Sequence, residues 1–182
     1  IILSKKKVGT DFEIAAIADR SIKNKKHKTG IQISEDPMSL IDIEDLDIVV
    51  ELIGNVDLSY NILKQSIINK KQVITANKAL IAKHGKELFE LASKHNTFIG
   101  FEASVAGAIP IIQTISSSFS NEKLISIVGI INGTSNFILH KMSNSNCDLQ
   151  SALKEAQKLG FAEADSSFDI NGMDAAHKIS IL

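Results

Sequence analysis

Residues 47–78 read DIVVELIGNVDLSYNILKQSIINKKQVITANK, and this stretch decides the fold. Asp47–Gly54 is a β-branched apolar run closed by a glycine, the pattern of a buried strand. From Asn55 to Lys71 the period changes: Leu58, Ile62, Leu63, Ser66 and Ile67 fall on one face of a helix. Gln72–Ala76 returns to a strand, followed without delay by Asn77 and Lys78. Strands alternating with helical stretches of this length indicate a parallel, doubly wound sheet.

The alternation continues in both directions. Upstream, Glu13–Ala18 is a short apolar run ending on Asp19 and Arg20, read as another buried strand, and 34–47 as a loop with a short helix begun at Asp36-Pro37. Downstream, Leu80, Ile81, His84, Leu88, Leu91 and Ala92 make the inner face of a helix, and 97–101 a fourth strand. After Glu102 the pattern changes. ASVAGAI (103–109) is small and flexible, Pro110 opens a helix reaching Ser117, and Leu124–Ile131 is predicted as a strand. Asn132–Thr134 is a tight loop, with a helix over Ser135–Met142 and a polar linker at 144–147. A second helix over Leu149–Leu159 has Asp148 as its N-cap and Gly160 as its C′ residue. Asn171-Gly172 marks a turn before helical spacing from Met173 to Leu182. The expected fold is therefore α/β, a partial Rossmann-like doubly wound parallel sheet over 1–101 and an α+β part over 102–182.

Composition narrows the classes. With 44% hydrophobic and 23% charged residues the 182-residue chain has ordinary globular balance. Its net charge of −1 gives no general attraction to nucleic acid or an anionic membrane, and no apolar run approaches a membrane span. The lysines at 5–7 and at 23, 25, 26 and 28 read as local, solvated loops. A single cysteine, Cys147, excludes an intrachain disulfide framework and suits a reducing, cytoplasmic setting. The absence of an initiator Met and the ending inside an apolar helical pattern suggest a piece of a longer protein.

Chemistry concentrates in GFAEADSSFDINGMDAAHK (160–178), with Glu163, Asp165, Asp169 and Asp174 ahead of Lys178. Asp174 and Lys178 are four apart and share a helix face, which by itself describes a common surface ion pair. Asp19, at a strand end, stands where a dinucleotide fold binds the adenosine ribose, whereas Arg20 suits a 2′-phosphate; the choice between NAD and NADP stays open. No G-x-G-x-x-G occurs, so the first strand and phosphate-binding turn of a dinucleotide fold are missing from the pattern. The five histidines have no metal-ligand spacing.

VVELIGN (49–55), VITANKALIAKHG (73–85), FEASVAGAIPII (101–112), GIINGTSNFILHKM (129–142) and EAQKLGFAEADSSFDINGMDAAHK (155–178) resemble homoserine dehydrogenase, in order and spacing. The resemblance covers nearly all of the chain from Glu13. It implies an NAD- or NADP-dependent oxidoreductase interconverting L-homoserine and L-aspartate 4-semialdehyde, in threonine and methionine biosynthesis. The second part becomes a substrate and dimerisation domain, and the protein a homodimer or larger homo-oligomer. Lys178 matches the catalytic lysine. Asp174 and Glu163 match the carboxylates holding the substrate, with Gly133 and Thr134 in a substrate-side loop. Lys78 and Thr75 fall at the cofactor and active-site cleft with Asp19, Arg20 and Gly54, where Gly54 admits either close backbone approach or a plain turn. Glu102 with the carbonyls of Val105, Gly107 and Ile109 matches a monovalent-cation loop, sodium being the usual ion. Two alternatives stand beside this reading: another NAD(P)-dependent amino- or hydroxy-acid oxidoreductase, and a non-catalytic dimerisation or regulatory piece. Cys147 lacks a catalytic partner, against a thiol-dependent semialdehyde dehydrogenase.

Overall fold

The structure is a computed structural model that describes residues 12–20 and 31–182. The lysine clusters at 5–7 and 23–28, with His27, lie outside the described residues. Two parallel pieces of sheet are present among them. Strand β1 (Ala16–Ala18) pairs with β2 (Gln32–Ser34), and β3 (Ile48–Glu51) pairs with β4 (Gln72–Thr75), which in turn pairs with β5 (Ile99–Gly100). The register sets Val49 against Val73 and Glu51 against Thr75, so β3 and β4 end level with each other.

Helix α1 (Val56–Ile68) and helix α2 (Lys78–His95) make the crossovers. Both begin on asparagine. Asn55 Oδ1 accepts from Leu58 N at 2.9 Å and Asn77 Oδ1 from Leu80 N at 3.1 Å, each satisfying a backbone donor that has no partner within the helix. The predicted inner faces are the buried ones. Leu63, Ile67, Val73, Leu80 and Leu88 have no exposed surface and form one core with Ile41, Ile62 and Ile99. Burying each of the larger side chains stabilises the fold by about 1.5–3 kcal/mol relative to leaving it in water.

Three predicted strands differ in the structure: Glu13–Ala18 is a strand only at Ala16–Ala18, half-buried there and exposed before it. The one expected over 97–101 is a strand only at Ile99–Gly100: Phe98 O accepts from Val73 N of β4 at 3.0 Å, but Phe98 N donates to the Gln72 side-chain oxygen (2.7 Å) rather than to the β4 backbone. Leu124–Ile131 is not a strand at all: no described strand lies beside it, and a strand without a ladder leaves its backbone groups to solvent. Its side chains follow, with Ile125 92% and Val128 95% exposed.

Beyond the sheet, a 3-10 turn (Glu102–Ser104) leads to the short helix α3 (Ile111–Gln113), which widens into a π-turn over Thr114–Ser118. Helices α4 (Gly133–Ser145) and α5 (Leu149–Lys158) pack around Ile138, Ala152, Ala156 and Ala162. Asp148 caps α5 as expected, accepting from Ser151 N at 2.8 Å, and Gly160 supplies the left-handed residue after it (φ +79°). A short helix α6 (Ser167–Ile170) and the last helix, α7 (Met173–Ile181), follow. Helix α7 returns to pack on α2, with Ile181 against the sheet core. That return brings the end of the chain to the carboxyl ends of β3 and β4.

Candidate active site

The carboxyl end of a parallel sheet is where backbone turns from strand to helix and leaves a crevice. Here a cleft of about 580 Å³ opens there, lined by Gly54 after β3, by Ala76 to Ala79 after β4, by Ser104, Ala106 and Gly107, and by Asp174 and Lys178 of α7. One buried carboxylate ties two of these lining turns together. Glu51, 2% exposed, closes β3; its Oε1 accepts from Ile53 N (2.6 Å) and Gly54 N (3.3 Å), which curls the chain into the Gly54 turn. Its Oε2 accepts from the Thr75 hydroxyl at 2.6 Å. Thr75 Oγ1 in turn accepts from Asn77 N (3.0 Å), and Asn77 caps α2 at the residue before Lys78. The two strand ends and the base of Lys78 are thus one hydrogen-bonded unit. Gly54 has φ +81°, a conformation that favours glycine, and a Cβ there would meet open space.

At the cleft wall, Asp174 is 6% exposed and lies between two lysines. Its Oδ1 accepts from Lys78 Nζ, 96 residues away in sequence, and its Oδ2 pairs with Lys178 Nζ at 2.7 Å. Lys178 Nζ also donates to the Ile131 carbonyl at 2.5 Å. Asn132 Nδ2 donates to Asp174 Oδ2 and to Asp169 Oδ1, both at 2.8 Å. Burial opposes the charge on Asp174, but hydrogen bonds from Lys178, Lys78 and Asn132, with the positive charge of Lys78, overcome it and hold the carboxyl well below the ordinary carboxylate range. The ion pair read from the helix spacing is present, and a second lysine makes it a site. Phe168 lies beneath Lys78 Nζ, 5.8 Å from ring centre to nitrogen, and meets the His177 ring edge-on.

Other expected residues fall elsewhere. Thr75, expected at the cofactor, is wholly buried and spends its hydroxyl on Glu51, so it supports Lys78 from below. Glu163, expected beside Asp174, is exposed and does not line the cleft; Asp169 takes the neighbouring place through Asn132. Thr134 donates its hydroxyl to the Phe161 carbonyl at 2.7 Å, tying α4 to the loop after α5, while Gly133 opens that helix. Asp19 is half-buried at the end of β1, its N–H donating to Ser34 O at 3.1 Å; Arg20 is exposed, and neither lines the cleft. Glu102 accepts from Ile112 N (3.0 Å) and Gln113 N (2.9 Å), capping α3, while Ile109 O accepts from Ile111 N at 2.8 Å. Val105 is buried, and Gly107 (φ +59°) lines the cleft. Sequence reasoning missed Glu51, Asn132 and the linking role of Asp169. An asparagine ahead of G-T-S signals a helix cap, but nothing local signals that its amide bridges two carboxylates.

The family model described as "Homoserine dehydrogenase, NAD binding domain" matches residues 2–102, more than half of the chain, and the model described as "Homoserine dehydrogenase" matches residues 110–182. The chain belongs to the homoserine dehydrogenase family. Among relatives, the homoserine dehydrogenase of Helicobacter pylori is 46% identical over 100% of this chain and 42% of its own length. That of Neisseria gonorrhoeae is 43% identical over 97% of this chain and 41% of its own length. The chain therefore spans about two fifths of the curated relatives it matches. The crystal structure of a homoserine dehydrogenase from Thiobacillus denitrificans superimposes with a TM-score of 0.81 at 43% identity, covering 91% of this chain and 38% of that one. A hyperthermophilic archaeal homoserine dehydrogenase in complex with NADPH gives 0.76 at 31% identity, over 87% and 49%. The parallel sheet and its NAD-binding-domain match put the α/β fold on firm ground. Among the described residues no helix is long and apolar enough to cross a membrane.

Proposed function

We propose that the protein carrying this chain catalyses reversible hydride transfer between NAD(P)H and L-aspartate 4-semialdehyde, giving L-homoserine. The observation that carries the reading is the Lys78–Asp174–Lys178 arrangement at the carboxyl ends of parallel strands. A bound nicotinamide cofactor supplies or takes the hydride; its place is the cleft beside Gly54 and Lys78, where glycine keeps the wall low. Lys178, positioned by Asp174 and the Ile131 carbonyl, gives a proton to the aldehyde oxygen as the carbon becomes an alcohol. In the reverse direction its neutral amine takes the hydroxyl proton. Asp174, and Glu163 when the substrate is bound, attract the substrate ammonium, while Lys78 and the Gly133–Thr134 helix start suit its carboxylate.

A sodium ion at Glu102 and the Val105, Gly107 and Ile109 carbonyls belongs to the same reading. The oxygens are hard donors, and each Glu102 oxygen holds one backbone N–H with capacity for a second partner. The homo-oligomer is part of it also, as is Asp19 or Arg20 at the adenosine ribose. The test is an assay of the protein from its complete reading frame with L-homoserine and NAD⁺ or NADP⁺, followed by nicotinamide absorbance. Turnover of other hydroxy amino acids but not of homoserine would overturn the proposal.

A further inference from the structure

We infer that Asn132 is a positioning residue for the proposed reaction: its one amide group locks the Asp174 carboxylate between the two lysines by tying it to Asp169. The inference rests on the reaction proposed above. The amide is used at both ends. Its two N–H hydrogens go to Asp169 Oδ1 and Asp174 Oδ2, each at 2.8 Å, and its oxygen accepts from Ser135 N at 2.7 Å. The reversed amide would turn its oxygen toward two carboxylates and its N–H toward a backbone N–H, so the partners fix the orientation. Ser135 Oγ donates to Asp169 O at 2.9 Å, which fastens α6 to the same helix start.

The consequence is geometric. Asp174 must present Oδ1 to Lys78 and Oδ2 to Lys178 together, and a carboxylate free to turn about its last bond does neither reliably. Asn132 opposes that rotation through its bond to Asp174 Oδ2. The preceding residue acts on the other partner, since the Ile131 carbonyl holds Lys178 Nζ. Residues 131 and 132 therefore orient both members of the Asp174–Lys178 pair. An amide is the group this place requires. Two anionic neighbours need two hydrogens from one short side chain, and the cap needs one acceptor.

Capping and bridging can be separated. Aspartate and serine are both good N-caps, so Asn132→Asp and Asn132→Ser keep the start of α4. Asp sets a third carboxylate against Asp169 and Asp174, and Ser is too short to reach them. Charged or titratable groups facing Asp174 are Lys78 from α2, Asp169 from α6 and Lys178 on its own helix, with His177 next to Lys178. In the full-length enzyme both variants should lower kcat, by about 10²-fold for Asn132→Asp given the cost of misplacing a catalytic group. The dissociation constant for the nicotinamide nucleotide should not change. The acid limb of the Asn132→Asp pH profile should move to higher pH, because Asp174 loses a donor and gains a like charge. Wild-type kcat with an unmoved acid limb in both variants would overturn the inference, leaving Asn132 a helix cap. Absence of homoserine turnover by the wild type would instead strike the proposed reaction, which keeps the two failures distinct.

Discussion

In the sheet region, Leu63, Ile67, Val73, Leu80 and Leu88 are wholly shielded; in the helical region the buried apolar cluster is Ile138 and three alanines. The same helical region leaves Ile125, Val128 and Ile130 more than three quarters exposed. The crossover helices cover one face of the sheet, that of Val73, Thr75 and Ile99, and leave Val50 and Ile74 of the other face exposed. The helical region has the α4–α5 pair, but Ile125, Val128 and Ile130 of its apolar 124–131 segment stay exposed, so its packing is local and thin. The larger buried core thus lies in one region and the proposed site at its border with the other.

The sharpest way to break this division is at the border. Lys178→Ala should cost the full-length enzyme roughly 10²–10⁴ in kcat, the usual worth of a general acid, with nucleotide affinity unchanged and a modest fall in melting temperature from the lost Asp174 pair. Unfolding with activity per folded molecule preserved would return Lys178 to a structural role. Next in size, Leu63→Ala should destabilise by about 2–5 kcal/mol in denaturant titrations, whereas Ile125→Ser should stay within about 0.5 kcal/mol in this chain and reduce its self-association in sedimentation. Equal losses at the two positions would erase the contrast.

Acid should act through Asp174. Its folded pKa is depressed, so its stabilisation is present above the ordinary carboxylate range near pH 4 and is lost as pH falls toward the lower folded value. Asp174→Asn should flatten that acid-side fall in melting temperature. Smallest is the cap of α5: Asp148→Ala should cost about 1 kcal/mol, read as a small drop in melting temperature.

Much of the sheet region was legible because its signals are local. The β-branched run at 48–51 and the spacing of Ile62, Leu63, Ser66 and Ile67 need no distant partner to be read. Leu124–Ile131 carries an equally clear strand composition, yet a strand is a pairing, and composition does not supply the neighbour. The site divides similarly. Asp174 and Lys178 share one helix face and were visible as a pair, whereas the Lys78 contact depends on α7 docking against α2. Glu51 read as part of a strand run; its role depends on three donors that converge only when β3 and β4 end level. Family motifs supplied Lys78 where periodicity did not.

The Lys78–Asp174 contact joins residues 96 apart in sequence. Closing so long a loop is entropically unfavourable until the intervening elements have formed, so this contact belongs to the late events of folding. A partly folded chain with its helices in place has the two residues but not the cleft between them. Recovery of catalysis during refolding is therefore a stricter clock than recovery of helical signal, and a proteolytic nick between α2 and α7 would stop that clock without dissolving either helix.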